Sequence, residues 1–235
     1  GGGQAGRGPP QPACHRRVRA ARMARTMNSL PALSAGLFLA AHLAGAADLE
    51  PGFVRLSDGR TFDGWKIGDA DAKSWRIEDG AFVAQGNRSH LFYVGELAPF
   101  KNFELKVDVM TKPGSNGGIY FHTAFQETGW PRQGFECQVN VTQGDWKKTG
   151  SLYDVVNLGW TPAKDNEWWT QHIIVRGNKV TVRINDITVL EYTQPAGVQP
   201  GRDFSRVLGE GTFAFQAHDP NSVIHYRNIR VKRLD

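Results

Sequence analysis

Cysteine is scarce in this chain of 235 residues: there are two, Cys14 and Cys137. Only Cys137 lies beyond residue 47, so no disulfide can form within residues 48–235 and a disulfide-stapled scaffold is excluded there. Acidic residues are missing from the first 47 positions, which instead carry six arginines at 7, 16, 17, 19, 22 and 25. Convincing helical periodicity is also missing from residues 48–235. So is any apolar run there long enough to span a bilayer as a helix, which takes about 20 residues. No pair of histidines stands at helical spacing, so a compact metal-binding motif is absent as well.

The arginine-rich opening is followed by an apolar run from Leu30 to Leu43 and then Ala44-Gly45-Ala46-Ala47. A basic region, an apolar core and a small-residue cleavage site together read as a secretory leader. The expectation is cleavage near Ala46–Asp48 and a periplasmic or secreted protein. The chain opens on Gly-Gly-Gly, and Met23 and Met27, just upstream of the apolar run, are candidate starts. The charge balance changes with the leader removed. The whole chain carries 28 basic and 23 acidic residues, a net +5; residues 48–235 keep 22 basic (28 minus 6) and all 23 acidic, a net −1. A surface so balanced gives no footprint for nucleic acid.

Residues 48–235 form a stretch of ordinary single-domain size. Short alternating runs recur between Gly, Asn, Asp and Pro turn signals, which predicts an all-β sandwich or barrel. Strands are expected near Phe53–Leu56, Trp75–Glu78, Ala81–Ala84, Phe103–Met110, Gly118–His122, Phe135–Asn140, Thr170–Arg176, Lys179–Ile184, Ile187–Tyr192, Thr212–Ala217 and Ile224–Lys232. Gly177-Asn178 and Asn185-Asp186 read as hairpin turns. The most informative stretch runs from Asn116 to Asn140. In a strand, alternate residues face opposite sides. Phe135, Cys137 and Val139 therefore form an apolar row, and Glu136, Gln138 and Asn140 a polar one. By the same alternation Tyr120 and His122 share a face opposite Ile119 and Phe121. A solvated outer face would explain such a polar row; the flanking Gly-Ser-Asn-Gly-Gly (114–118) and the Trp130 loop favour a binding site.

Three segments carry a resemblance: Asn116-Gly117-Gly118-Ile119-Tyr120-Phe121, Gly134-Phe135-Glu136-Cys137-Gln138-Val139 and Thr149-Gly150-Ser151-Leu152-Tyr153-Asp154. With Phe62-Asp63-Gly64-Trp65, Trp75 to Gly80, Glu167-Trp168, Phe215 to Asp219 and Tyr226 to Ile229, the chain resembles the 3-keto-disaccharide hydrolase domain family over residues 53–234. That resemblance implies a concanavalin-like jelly-roll sandwich of two antiparallel sheets with a carbohydrate substrate on its concave face, and action on glycosides oxidised at C3. Trp169, Asp186, Gly117 and His122 depart from the family's usual residues, and His122 bears most on substrate preference.

An ordinary glycosidase flanks its scissile bond with two carboxyl groups. The central strand offers one, Glu136, followed by Gln138 and Asn140. A 3-keto sugar relaxes the requirement, because the ketone acidifies the C2 hydrogen and a single base can start an elimination that water then completes. Glu136, His218 and His122 are the candidate catalytic residues, histidine being the side chain that titrates nearest neutrality. Asn116, Tyr120, Trp130, Gln138, Asn140, Tyr153 and Gln216 are candidates for holding substrate. Trp160 is a further candidate stacking ring. His122, Glu136 and His218 could alternatively hold a divalent metal, which the sequence does not require. His90, His172 and His225 read as structural, Trp65, Trp75 and Trp168 as core, and Lys147 and Lys148 as a solvated loop tip. A non-catalytic, lectin-like carbohydrate-binding module is the competing reading.

Overall fold

A computed structural model describes residues 49–69 and 71–234; the expected leader and its cleavage site lie outside them. The described residues hold thirteen strands and one short 3-10 turn, Ala72–Ser74. The larger sheet contains β1 (Val54–Arg55), β3 (Trp75–Glu78), β4 (Ala81–Ala84), β6 (Phe103–Thr111), β9 (Trp169–Arg176), β10 (Lys179–Ile184), β11 (Ile187–Thr193) and β13 (Ile224–Arg233). Its order is β11-β10-β9-β6-β13-β4-β3, with β1 paired to β13. The smaller sheet contains β2 (Trp65–Gly68), β5 (Ser89–Tyr93), β7 (Asn116–Thr123), β8 (Phe135–Asn140) and β12 (Thr212–Ala217), in the order β2-β5-β12-β7-β8. Every pairing is antiparallel. No described helix is long and apolar enough to cross a membrane.

One apolar cluster joins the two sheets. Phe215 of the smaller sheet stacks on Tyr226 of the larger, ring centroids 4.6 Å apart, and on Trp65 at 5.0 Å. Cys137 is part of this core: it is fully buried, accepts a hydrogen bond from the Gln171 amide at 3.1 Å, and burial pushes its thiol up to about 12. The two strands the sequence did not disclose, β2 and β5, extend the smaller sheet on the far side of β12. All five residues of β5 are buried, so it shows no polar face to betray an alternating strand. Of the tryptophans read as core, Trp65 and Trp75 are there. Trp168 is not: it is half-exposed, with the Arg227 guanidinium 3.7 Å from its ring centroid, and its neighbour Trp169 is the buried one.

The alternation of β7 breaks at its end. His122 adopts φ of 54°, and the β12–β7 register shifts between Thr212 and Ala214. This bulge turns His122 off the face it was expected to share with Tyr120. Its ring packs on Phe103 and Phe121, and its Nε2 lies 2.9 Å from the Lys101 carbonyl. Its Nδ1 accepts the Gly209 N–H at 3.2 Å, and burial lowers its pKa. His122 is thus a buried clip between the strand end and two loops, not a neighbour of Glu136.

Candidate functional site

The outer face of the smaller sheet carries the site. Cα pairing sets Tyr120 opposite Glu136, Gly118 opposite Gln138 and Asn116 opposite Asn140, so the polar row of β8 meets a matching row on β7. A pocket of about 320 Å³ stands over part of this face. That is at the small end of ligand sites, which run about 300–1,000 Å³. Glu136, Tyr120, Gln138, Gln216 and Asn116 line its floor; Trp130, Tyr153, Phe204 and His218 are also in its lining.

Glu136 is walled in by its neighbours. Loss of hydration raises its pKa to about 7, against the opposing pull of hydrogen bonds from Tyr120 and Gln216. The Gln216 amide nitrogen donates to Glu136 Oε1 at 3.1 Å and to the Tyr120 hydroxyl oxygen at 2.8 Å. Tyr120 is itself raised well above its ordinary pKa, chiefly by burial and then by the Glu136 charge, so it stays a neutral phenol. The Gln138 amide lies 2.9 Å from Asn116 Oδ1. With its nitrogen turned towards the acid, it donates to Glu136 Oε1 at 3.2 Å. The position of the carboxyl depends on Gly118. A Cβ at residue 118 would stand 2.3 Å from Glu136 Oε1 and 2.8 Å from its Cγ, so glycine there leaves the volume the acid occupies.

His218 follows directly on β12. Its Nδ1 lies 2.8 Å from Asp219 Oδ2, which also accepts the Ser222 hydroxyl at 2.8 Å. Although partial burial works against it, hydrogen bonds from Ser222 and His218 hold Asp219 below the usual carboxylate range. An ionised Asp219 fixes the Nδ1–H of the imidazole and leaves Nε2 free to take or give a proton. The Trp130 ring lies 5.6 Å from that of His218 and 5.5 Å from that of His90. His90, read from the sequence as structural, has a polar setting after all. It is fully buried, its Nδ1 is 3.2 Å from Asp69 Oδ2, and burial lowers its pKa to about 4. It supports Trp130 and Tyr120 from within the sheet, without reaching the pocket itself.

Of the opposite wall only Tyr153 was expected from the sequence; Asp145, Asp154, Phe204 and Arg206 were not. Asp154 is bonded to Lys147 and, at 3.0 Å, to Arg206. Burial pushes against ionisation of Asp154, but these two cations hold its pKa low. The Lys147 ammonium is 3.7 Å from the Tyr153 ring centroid, and the Tyr153 hydroxyl donates to Asp145 at 3.1 Å. Lys148 donates to the carbonyls of Gln143 and Asp145 at 2.7 and 2.8 Å. The lysines are therefore wall ties, not a solvated tip. The acid and two lysines close together in Asp145-Trp146-Lys147-Lys148 were the available signal for this wall. Arg206 and Phe204 come from the long stretch between β11 and β12, and long loops often carry function.

Two expected contacts are not made in the pocket. Asn140 faces the 141–148 loop, where its amide donates to the carbonyls of Asp145 and Lys147 at 2.9 and 3.0 Å. Trp160 is 67% exposed and outside the pocket lining. Among the described residues no three His, Cys, Asp or Glu side chains converge as a metal-binding group, so the His122, Glu136 and His218 set is not assembled.

Comparison with known proteins bears on the fold and the family. A protein of Bacteroides thetaiotaomicron named 3-keto-disaccharide hydrolase is 28% identical over 232 residues, covering 78% of this chain and 79% of its own. A crystal structure of a candidate glycosyl hydrolase from Parabacteroides distasonis superposes with a TM-score of 0.65 at 22% identity, covering 78% of this chain and 94% of that one. The carbohydrate-binding module CBM66 of Bacillus subtilis shares the fold at a TM-score of 0.50 and 14% identity, covering 72% and 95%. A Bacillus subtilis protein described as having a galectin-like fold superposes with a TM-score of 0.54 at 14% identity, covering 77% of this chain and 94% of that one, in keeping with the two-sheet sandwich. The sequence pattern of the 3-keto-alpha-glucoside-1,2-lyase-like domain matches residues 52–232. With most of its length so matched, the chain belongs to the family of 3-keto-alpha-glucoside-1,2-lyase-like domains.

Proposed function

We propose that this protein cleaves glycosides oxidised at C3, and that Glu136 exchanges the proton on C2. The observation that carries this reading is the Glu136 carboxyl, held near pKa 7 on the pocket floor. A group with that pKa is available both as base and as acid at neutral pH. Hydrolysis of an unoxidised glycoside would call for two carboxyl groups in cooperation, about 5–5.5 or 6.5–9.5 Å apart. The pocket does contain Asp145 and Asp154, but both are engaged, the first by Tyr153 and the second by Lys147 and Arg206.

In the proposed reaction Glu136 takes the C2 proton and the electrons of that bond pass into the enolate of the 3-ketone. The enolate then expels the C1 substituent, whose oxygen receives a proton from His218. Water adds across the resulting enone, placing its hydroxyl on C1 and its proton on C2. Tyr120 and Gln216, already ordered around Glu136, supply neutral donors for developing negative charge. Trp130 and Tyr153 offer flat faces to the sugar ring.

The test is the Glu136→Gln variant on a 3-keto-glucoside. The rate should fall by roughly 10²–10⁴-fold while affinity for the sugar stays nearly constant. Loss of affinity with the rate on bound substrate retained would mean that Glu136 only holds the sugar, and binding without any wild-type turnover would favour a lectin-like binding module. Rapid wild-type cleavage of the matching unoxidised glycoside would reject the elimination route.

A further inference from the structure

We propose that Arg206 is a catalytic residue of this pocket: its guanidinium holds the oxygen at C3 of the sugar and takes up the negative charge that gathers there as the C2 proton leaves. The proposal deepens the function proposed above and rests on it.

The backbone delivers this side chain under strain. Arg206 adopts φ of 46°, in the left-handed region that residues other than glycine seldom enter. The chain on either side is pinned. Ser205 N–H donates to the Arg132 carbonyl at 2.7 Å, and Ser205 Oγ accepts the Gly134 N–H at 2.9 Å. Leu208 N–H donates to Gln194 Oε1 at 2.7 Å, and Gly209 is held by His122. Between these anchors Arg206 reaches the pocket, where it is the one lysine or arginine among the described lining residues. Strain that the surroundings keep in place gathers at functional sites. Nearby cations are committed elsewhere: Lys147 to Asp154 and the Tyr153 ring, Lys148 to loop carbonyls, Arg88 to Asp69 at 3.3 Å. A guanidinium carries five N–H donors. Asp154 accepts from Arg206 Nη2 at 3.0 Å, and the guanidinium carbon lies 5.4 Å from the centre of the Phe204 ring. The donors on Nε and Nη1 remain for a ligand, and the side chain is 33% exposed.

The chemistry asks for such a group. When the C2–H bond breaks, its proton goes to Glu136 and its electron pair forms the C2–C3 double bond. The carbonyl π pair then settles on the C3 oxygen as a negative charge. Tyr120 and Gln216 are neutral, and in the resting site both bond to Glu136. A charge-assisted hydrogen bond is roughly twice as strong as a neutral one. A cation already in place when the charge appears needs no reorganisation. The field of Arg206 reaches the base as well: burial raises the Glu136 pKa most, hydrogen bonds from Tyr120 and Gln216 oppose it, and the Arg206 charge lowers it further. A positive charge felt at the carboxyl is felt also by a sugar seated over it. The ketone oxygen, which only accepts, suits a group that only donates.

The experiment follows exchange of the C2 hydrogen in heavy water by proton NMR, with 1-deoxy-3-keto-glucose as probe. That ring has a ketone to enolise but no C1 substituent to expel. The variants are Arg206→Gly, whose glycine suits a φ of 46°, and Asp154→Asn, which breaks the same ion pair but keeps the guanidinium. At saturating probe Arg206→Gly should exchange about 10²-fold more slowly than wild type, as when one donor to an oxyanion is removed. Asp154→Asn should lose no more than about fivefold, because a partly exposed ion pair contributes little. Equal losses in the two variants would reduce Arg206 to a clasp between loops and overturn the proposal. Exchange at the wild-type rate in Arg206→Gly would overturn it too. If wild type does not exchange the probe, the proposed elimination has failed on its own, and binding decides the role of Arg206. Titration by tryptophan fluorescence should then show wild type binding methyl 3-keto-glucoside more tightly than methyl glucoside, and Arg206→Gly binding the two alike. No preference in wild type, or one that Arg206→Gly keeps, would sink the assignment.

Discussion

Glu136 ionises near pH 7 in the folded protein, against a value of 4.5 without the fold's influence. Between those two limits the native state keeps a proton that the unfolded chain has released. Stability from this group is therefore fully present below about pH 4.5, falls as pH rises, and is gone above about pH 7. By linkage the effect is at most about 3 kcal/mol. Urea unfolding of wild type and Glu136→Gln across pH 4.5 to 7.5 should show the difference moving against wild type by up to that amount. A difference that does not vary with pH would mean that the carboxyl is well hydrated. This residue was legible from sequence because its strand alternates cleanly. His90 was not. Its partner Asp69 lies just past β2, a strand too short to announce itself, and only sheet pairing brings the two together.

At the scale of elements, β7 and β8 are where sequence and structure agree best and where they part. Alternation correctly sorted Glu136 and Gln138 from Phe135, Cys137 and Val139, because one face meets the core and the other the pocket. It failed at His122 because period-two reasoning assumes an unbroken pleat, and the strand ends in a bulge. Asn140 failed for a different reason: its face was right, but the 141–148 loop folds over it and claims its amide. The His122 placement has a mechanical consequence. His122→Val puts a β-branched side chain at a φ of 54° and removes the contacts to Lys101 and Gly209. A loss of about 2–4 kcal/mol is expected from the strained backbone and the unpaired groups together. Turnover per folded molecule should hardly change. A stable variant with its activity abolished would place the imidazole back in the chemistry.

For the whole molecule, the alternating runs and the two hairpin turns predicted an all-β sandwich or barrel and the family resemblance chose the sandwich, whereas the pocket walls depended on long loops whose contacts no local pattern encodes. Because the main apolar cluster spans both sheets, with only a small satellite of Phe92, Tyr120 and Ala214 on the smaller one, the two sheets share their principal core. Unfolding should thus be a single transition, with backbone circular dichroism and the fluorescence of the buried Trp65, Trp75 and Trp169 changing together. Separated midpoints would show that the sheets come apart independently. The glycine beneath the acid reaches further still. Since the Glu136 carboxyl fills the volume that a side chain on Gly118 would take, the two positions share one space and must be inherited as a couple. Among descendants of this fold, a bulkier residue at 118 is to be sought only where 136 has become shorter. A lineage that makes that exchange keeps its sandwich and gives up its acid.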